Sequence, residues 1–267
     1  MDFTLLIGII FGFASILLGF MEEGGVLSSL FKVSPILIVI GGAMGATIAS
    51  YSLGDIIKAF KALAYSFSSK SKGDPKTVIK TIMTISDKCR KSGLLVLEDE
   101  MKTPVFKNKD YLFLKEGLIL ILEGRGEEEI KYVLESGIYS FTQQKHLEIG
   151  VFESAGGYCP TMGVLGTVMA LVTVLADMGD AQSLAASIAT AFIATLYGVG
   201  IANLVFLPIA TKLKSDLKRQ KLQMEMMLDG VCMILKGDAS RNIENKLALY
   251  WQAFPGGDKN YKAGIEN

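Results

Sequence analysis

Charge is absent from four long stretches of this chain. Residues Phe3 to Met21, Val33 to Leu53, Ser154 to Ala176 and Ala181 to Thr211 contain no Lys, Arg, Asp, Glu or His. Each approaches or exceeds the ~20 residues that a helix needs to cross the hydrocarbon core of a bilayer, which places the chain in a membrane. Cysteine is scarce too. Cys89, Cys159 and Cys232 form no C-x-x-C pair, and His146 is the single histidine, a set that points away from a metal centre or a disulfide framework. Phosphate-cradling loops are missing: there is no Walker-type loop, no G-x-G-x-x-G and no nucleophile elbow. Gly124-Arg125-Gly126 reads instead as a helix-ending turn before the acidic start of another helix. An ATPase, a hydrolase and an organic cofactor are therefore not expected. The 27 basic and 27 acidic residues cancel, which argues against a nucleic-acid partner.

The charge that is present is segregated. Every Lys and Arg except Lys32 lies between residues 54 and 150 or after residue 210. Unpaired backbone groups cost several kcal/mol each in lipid, so the uncharged runs must be helices, and none alternates like a barrel strand. The first run does not resemble a signal peptide. Asp2 stands in its n-region, and Glu22-Glu23 follow where a cleavage site would fall, so a retained span is expected. Lys58, Lys61 and Lys145 flank spans two and three, and Lys212, Lys214, Lys218, Arg219 and Lys221 follow span four. The short connections hold only Glu22, Glu23 and Lys32, then Asp177 and Asp180. The positive-inside rule puts both termini and the long polar segment in the cytoplasm. The expected fold is an all-α membrane protein: residues 1–53 as helices one and two, 54–150 as a cytoplasmic helical domain, 151–211 as helices three and four, and 212–267 as cytoplasmic C-terminal helices and tail.

Small residues recur along the spans: Ala186, Thr190, Ala194, Gly198 and Ala202 in span four, Cys159, Gly163 and Thr167 with Gly166 and Ala170 in span three, and Gly41, Gly45 and Ala49 in span two. Such faces let helices approach closely in lipid, where the hydrophobic effect provides no drive for association. Four helices cannot use so many close-packing faces on one another, so an oligomer is expected, with room for a foreign helix at its centre. Thr167 and Thr195 stand within these rows. Each hydroxyl either bonds back to its own helix or lines a hydrated path for an ion. Pro160 and Pro208 remove backbone hydrogen bonds near the cytoplasmic ends of spans three and four, at one expected membrane level. An ion-coupled protein normally keeps an ionisable group inside the membrane, and this chain has none there, so a partner must supply it.

The polar segment reads as helical, punctuated at Gly73-Asp74-Pro75, Gly93, Thr103-Pro104 and Gly124-Arg125-Gly126. Asp74 suits an N-cap and Pro75 the first helical position. Val78, Ile82, Ile85 and Cys89 then form an apolar stripe of helical period, and Leu112, Leu118, Ile119 and Leu122 a second. Leu213, Leu217, Met224, Leu228, Val231 and Leu235 continue span four as a helix that packs on this segment. Pro255-Gly256-Gly257 should open a loose tail. Lys88, Arg90 and Lys91 form a basic block, and Glu98, Asp99 and Glu100 an acidic one, held apart by Leu94 to Leu97. This arrangement is either an ordinary solvated surface or one that steers a charged partner.

Three segments carry a resemblance: Cys159-Pro160-Thr161-Met162-Gly163-Val164-Leu165-Gly166-Thr167 in span three, Thr195-Leu196-Tyr197-Gly198 with Asn203 and Pro208 in span four, and Lys91-Ser92-Gly93-Leu94-Leu95-Val96-Leu97-Glu98 in the polar segment. Together with the two-plus-two spans, residues 1 to about 250 resemble the MotA family of flagellar stator subunits. The wider group includes TolQ and ExbB, which typically have three spans. The resemblance implies a homopentamer around two copies of MotB, a single-span protein whose membrane aspartate carries the ion, either a proton or sodium, and whose outer domain grips peptidoglycan. It implies that Thr167 and Thr195 line the ion path, that Pro160 and Pro208 couple ion binding to helix movement, and that Arg90 and Glu98 engage the rotor protein FliG. Two departures stand out. Ser136 to Gln144 lack the expected acidic residues, and Lys236 to Ser240 lack the proline common after their glycine. An ExbB-like or TolQ-like motor serving the cell envelope is the alternative, and a non-motor scaffold or channel is a more distant one.

Overall fold

In the computed structural model, which describes residues 4–67, 74–176 and 181–254, the described residues hold helices and turns but no strand. The expectations placed on Gly73, on Asp177 and Asp180, and on the tail from Pro255 lie outside these residues. The helices are α1 (Thr4–Glu22), α2 (Val33–Ser50), α3 (Leu53–Phe67), α4 (Pro75–Ser92), α5 (Leu112–Leu122), α6 (Glu127–Ala176), α7 (Ala181–Ile201), α8 (Leu207–Lys236) and α9 (Ser240–Gln252). A π-helical turn over Ala202–Phe206 joins α7 to α8, and another over Leu37–Gly41 interrupts α2. Four helical segments are long and apolar enough to cross a membrane: Thr4–Glu22, Val33–Ser50, Glu127–Leu175 and Leu184–Lys236. The chain divides into two units, Met1–Ser68 with Lys145–Ser215, and Ser69–Gln144 with Asp216–Asn267.

In the first unit, α2 stops at Ser50, short of the Leu53 expected from hydropathy. The reason is a new N-cap at Ser52. The Ser52 hydroxyl accepts from the Asp55 amide at 3.2 Å and donates to the Asp55 carboxylate at 2.6 Å, which starts α3 in a new direction. Tyr51 at the joint is extended, with φ −130° and ψ 154°. No residue of α1 is buried, and Leu6, Ile7, Ile10 and Phe11 are all exposed, a face suited to lipid rather than to a soluble core. In the interior of this unit, Ala43 of α2, Cys159 of α6 and Ala202 of the π turn after α7 meet in one cluster.

The second unit is built as a soluble core. Asp74 caps α4 by accepting from the Lys76 amide at 3.3 Å, with Pro75 at the first helical position. The stripe that begins there is buried: Val78, Ile82, Ile85 and Cys89 are each at most 7% exposed. These side chains pack with Leu114 and Leu118 of α5, Ile130 and Leu134 of α6, Met226 and Val231 of α8, and Ile243 and Leu247 of α9. At Gly124, φ is +74°, and the Arg125 amide reaches back to the Leu120 carbonyl, so α5 closes in a Schellman turn just before Glu127-Glu128-Glu129 open α6. Glu127 receives both Lys131 at 2.7 Å and Lys236 at 2.9 Å, tying the start of α6 to the end of α8.

Candidate functional site

The contact between α6 and α7 is set by two glycines. A Cβ built on Gly198 would lie 2.6 Å from the Cys159 carbonyl oxygen and 3.0 Å from the Gly163 Cα. One on Gly163 would meet the Ala194 carbonyl at 3.0 Å. Backbone therefore rests on backbone, as the small-residue rows of spans three and four require. Ala194, Gly198 and Ala202 face inward, whereas Ala186 lies exposed. The row in α2 behaves differently. Gly41 and Gly45 have no atom near a built Cβ, and Ala49 is exposed, while Gly42, Ala43 and Thr47 form the packed side, with Met162 against Gly42. The spacing of small residues marks a face without saying which way it turns.

This glycine contact brings the two threonines together. The Thr167 and Thr195 hydroxyl oxygens are 2.7 Å apart, and the Thr167 oxygen is also 3.0 Å from the Gly163 carbonyl and 3.1 Å from the Ala191 carbonyl. Each hydroxyl has one proton, so the pair shares one bond between the helices and spends its other proton on a backbone carbonyl. Thr167 bonds back to its own helix, the first of the two alternatives, and at the same time faces the other threonine. Beside the pair, a cavity of about 270 Å³ is lined by Ser34, Thr173, Ser187 and Thr190 together with Gly166 and Ala194. Thr173 and Thr190 donate to the carbonyls four residues back, at 3.1 and 2.8 Å, so their oxygens remain as acceptors. Of these four hydroxyls, sequence reasoning noticed only Thr190, and only as a small residue. Isolated Ser and Thr residues in apolar runs do not announce that they converge.

Pro208 follows the π turn at Ala202–Phe206. Its missing N–H leaves the Leu204 carbonyl without the usual donor four residues on, and a wider turn is the local response. Pro160 lies inside the continuous α6. The prolines are not level, contrary to the expectation above. Gly156 packs on Leu207 and Phe206, so the antiparallel register fixed at Gly163 and Gly198 offsets Pro208 by roughly two helical turns from Pro160. Sequence reasoning also missed a set of tyrosine bonds. Tyr197, inside the span-four motif, donates to the Leu30 carbonyl. The Tyr51 hydroxyl meets Ser154 at 2.9 Å, in a space kept open by Gly150, and the Tyr158 hydroxyl meets Ser50 at 3.0 Å.

The charged residues of the second unit are only partly segregated. Lys88 reaches across to Glu100 at 2.6 Å, so the basic and acidic blocks touch at one point instead of being held fully apart. A turn at Leu97–Glu100, reached through Gly93 at φ +80°, folds the acidic block back onto the end of α4. Lys102 binds Asp99 at 2.8 Å, and that hydrogen bond holds the Asp99 carboxyl below its ordinary range. Arg90 and Glu98 are exposed and form no ion pair among the described residues. Cys89, beneath Arg90, is buried, and burial followed by the nearby Glu100 pushes its thiol pKa up.

Residues 6–93 match the family described as Motility protein A N-terminal, and residues 106–226 match the MotA/TolQ/ExbB proton channel family. The chain belongs to the MotA/TolQ/ExbB family. Within that family it is a flagellar stator subunit, as its Motility protein A N-terminal segment and its relatives show. It is 32% identical to the chemotaxis protein PomA of Vibrio alginolyticus over 251 residues, covering 94% of this chain and 95% of PomA. It is 31% identical to Motility protein A of Bacillus subtilis over 253 residues, covering 95% of this chain and 92% of that protein. A chain of the flagellar MotAB stator complex from Bacillus subtilis superposes with a TM-score of 0.84 at 30% identity, covering 94% of this chain and 95% of the other. It is a multi-pass membrane protein, with four helices among the described residues that are long and apolar enough to cross a bilayer.

Proposed function

We propose that this stator subunit sits in the inner membrane with both termini in the cytoplasm, as one of five copies around two copies of a MotB-like protein. Residues 1–53 and 151–211 form the membrane part, and 54–150 with 212–267 the cytoplasmic part. Thr167 and Thr195 stand beside the partner's membrane carboxylate, where a hydroxyl pair passes a proton along water or offers oxygens to sodium. The observation that carries this reading is the 2.7 Å contact between those two hydroxyls in a set of spans without an ionisable side chain. The partner supplies the carboxylate and this chain supplies the neutral acceptors around it.

Pro160 and Pro208, one in α6 and one beside a π turn, are the points where helix geometry responds when that carboxylate is neutralised. One charge crossing 100 mV releases ~2.3 kcal/mol, enough for a small rotation of packed helices and too little for refolding. At the cytoplasmic rim, exposed Arg90 and Glu98 engage opposite charges on a FliG-like rotor protein, so ion flow becomes torque. The test is gentle purification of the tagged chain from its native membrane with identification of what co-purifies. A single-span protein with a membrane aspartate and a peptidoglycan-binding domain is expected. An ExbD-like or TolR-like protein, or the chain alone, would overturn the reading.

A further inference from the structure

The C-terminal end of α4, which carries Arg90, is fastened by α9, the last of the described helices. Helix α9 lies along α4 and buries Ile243, Leu247 and Trp251 against it, within the core that holds Val78, Ile82 and Ile85. At the far end from the basic block, the Lys76 ammonium sits over the Trp251 ring, 4.8 Å from its centroid. At the near end there are two polar bonds in a largely dry place. The Ser86 hydroxyl, fully buried, donates to the Asp238 carbonyl at 2.8 Å, and the Ser240 hydroxyl, also buried, donates to the Asp87 carboxylate. Helix α9 has Ala239 at its N-cap, which offers no side-chain acceptor. Asp87 brings negative charge to that positive helix end from the neighbouring helix. Arg90 follows Asp87 by three residues, on the last turn of α4 before the break at Gly93.

Taking Arg90 as a rotor contact, as proposed above, we infer that Ser240 and Asp87 are positioning residues for it: the Asp87–Ser240 and Ser86–Asp238 bonds make α9 a strap that holds the final turn of α4, and so sets where Arg90 is presented. The final turn of a helix is where bonds are weakest, because its last carbonyls lack partners along the helix. Two bonds, one from the first residue of α9 and one from the turn before it, placed one turn before Arg90, remove that freedom. A rotor contact made through one long side chain depends on where its Cα is held. The strap has no part in ion passage, since all of its groups lie in the second unit.

Three variants of the full chain, in complex with its partner, test this: Ser240→Ala, Asp87→Ala, and Asp87→Asn, whose amide oxygen still accepts from Ser240. Hydrogen exchange of the purified complex should rise about tenfold at residues 87–98 in the two alanine variants, the effect of one lost hydrogen bond. Asp87→Asn, which keeps the bond but loses the charge, should fall between the wild type and Asp87→Ala, and the amides of α5 should not change in any variant. Stall torque should fall about twofold in Ser240→Ala, and this loss should vanish when Arg90→Ala is already present, the mark of coupling rather than of general damage. Unchanged exchange at residues 87–98 overturns the strap. Raised exchange with normal torque, or an equal torque loss in both backgrounds, overturns the positioning role. If Arg90→Ala alone leaves torque intact, the rotor reading itself fails, and the positioning role falls with it while the exchange result stands apart.

Discussion

Thr167 and Thr195 share a 2.7 Å contact although 28 residues separate them, because Gly163 and Gly198 let their helices touch through the backbone. Replacing either hydroxyl by a methyl removes the bond that joins the two helices, at a cost of ~0.5–1.5 kcal/mol. Thr195→Val should therefore lower ion conduction by up to about tenfold. The double variant Thr167→Val/Thr195→Val should be no worse than the poorer single one. Ion-flux measurements in cells check this, and two independent, multiplying losses would count against a shared role.

The glycine contact itself makes a stability prediction. Gly198→Ala forces a Cβ to within 2.6 Å of the Cys159 carbonyl oxygen, and backbone cannot swing aside as a side chain can. The cost should be ~1–3 kcal/mol, seen as a lower melting temperature in detergent. Gly45→Ala, with nothing within 4 Å of the new atom, should leave the melting of the isolated chain unchanged. If Gly45→Ala still weakens the assembled complex, then the outward face of α2 meets another subunit.

Arg90→Glu should reduce torque while leaving assembly and ion conduction intact, because the side chain is exposed and unpaired among the described residues. Lys88→Ala breaks the surface pair with Glu100, a change expected to cost under ~1 kcal/mol. A strain carrying Arg90→Glu that swims at normal speed would remove Arg90 from the rotor interface.

Tyr250 predicts an alkaline limit. Its hydroxyl donates to Asp229 at 3.0 Å, and burial together with Asp229 and Glu225 pushes its pKa from the usual 10.0 up to about 12. The folded state thus holds the phenol proton more tightly than the unfolded chain does. The stability this adds is fully present below pH 10 and is lost as pH rises through 10 toward 12. Melting curves across that window should fall more steeply for the wild type than for Tyr250→Phe, and parallel curves would refute the assignment.

Much of the architecture was legible from the chain because bilayers and helices impose simple rules. Four uncharged runs gave four helices, Asp74-Pro75 gave the start of α4, and Gly124 gave the end of α5. The apolar stripe Val78-Ile82-Ile85-Cys89 was buried as its period implied. Local chemistry also explains the one misplaced boundary. The N-cap at Ser52 outweighed the apolar Tyr51 to Leu53 that prolong the hydropathy signal.

The sequence by itself determined where the main helices run, which segments belong in lipid, and that those segments carry no ionisable side chain of their own, since each of these follows from composition and short-range spacing. Only the tertiary structure decided which way each helix faces and what meets across it. It turned Gly41 and Gly45 outward, joined Thr167 to Thr195, gathered Ser34, Thr173, Ser187 and Thr190 around one cavity, set Pro208 about two turns away from Pro160, and folded Glu100 back onto Lys88. These are contacts between residues far apart in the chain. They depend on helix rotation and register, which are settled by the fit of many small side chains at once and leave no local mark on the sequence.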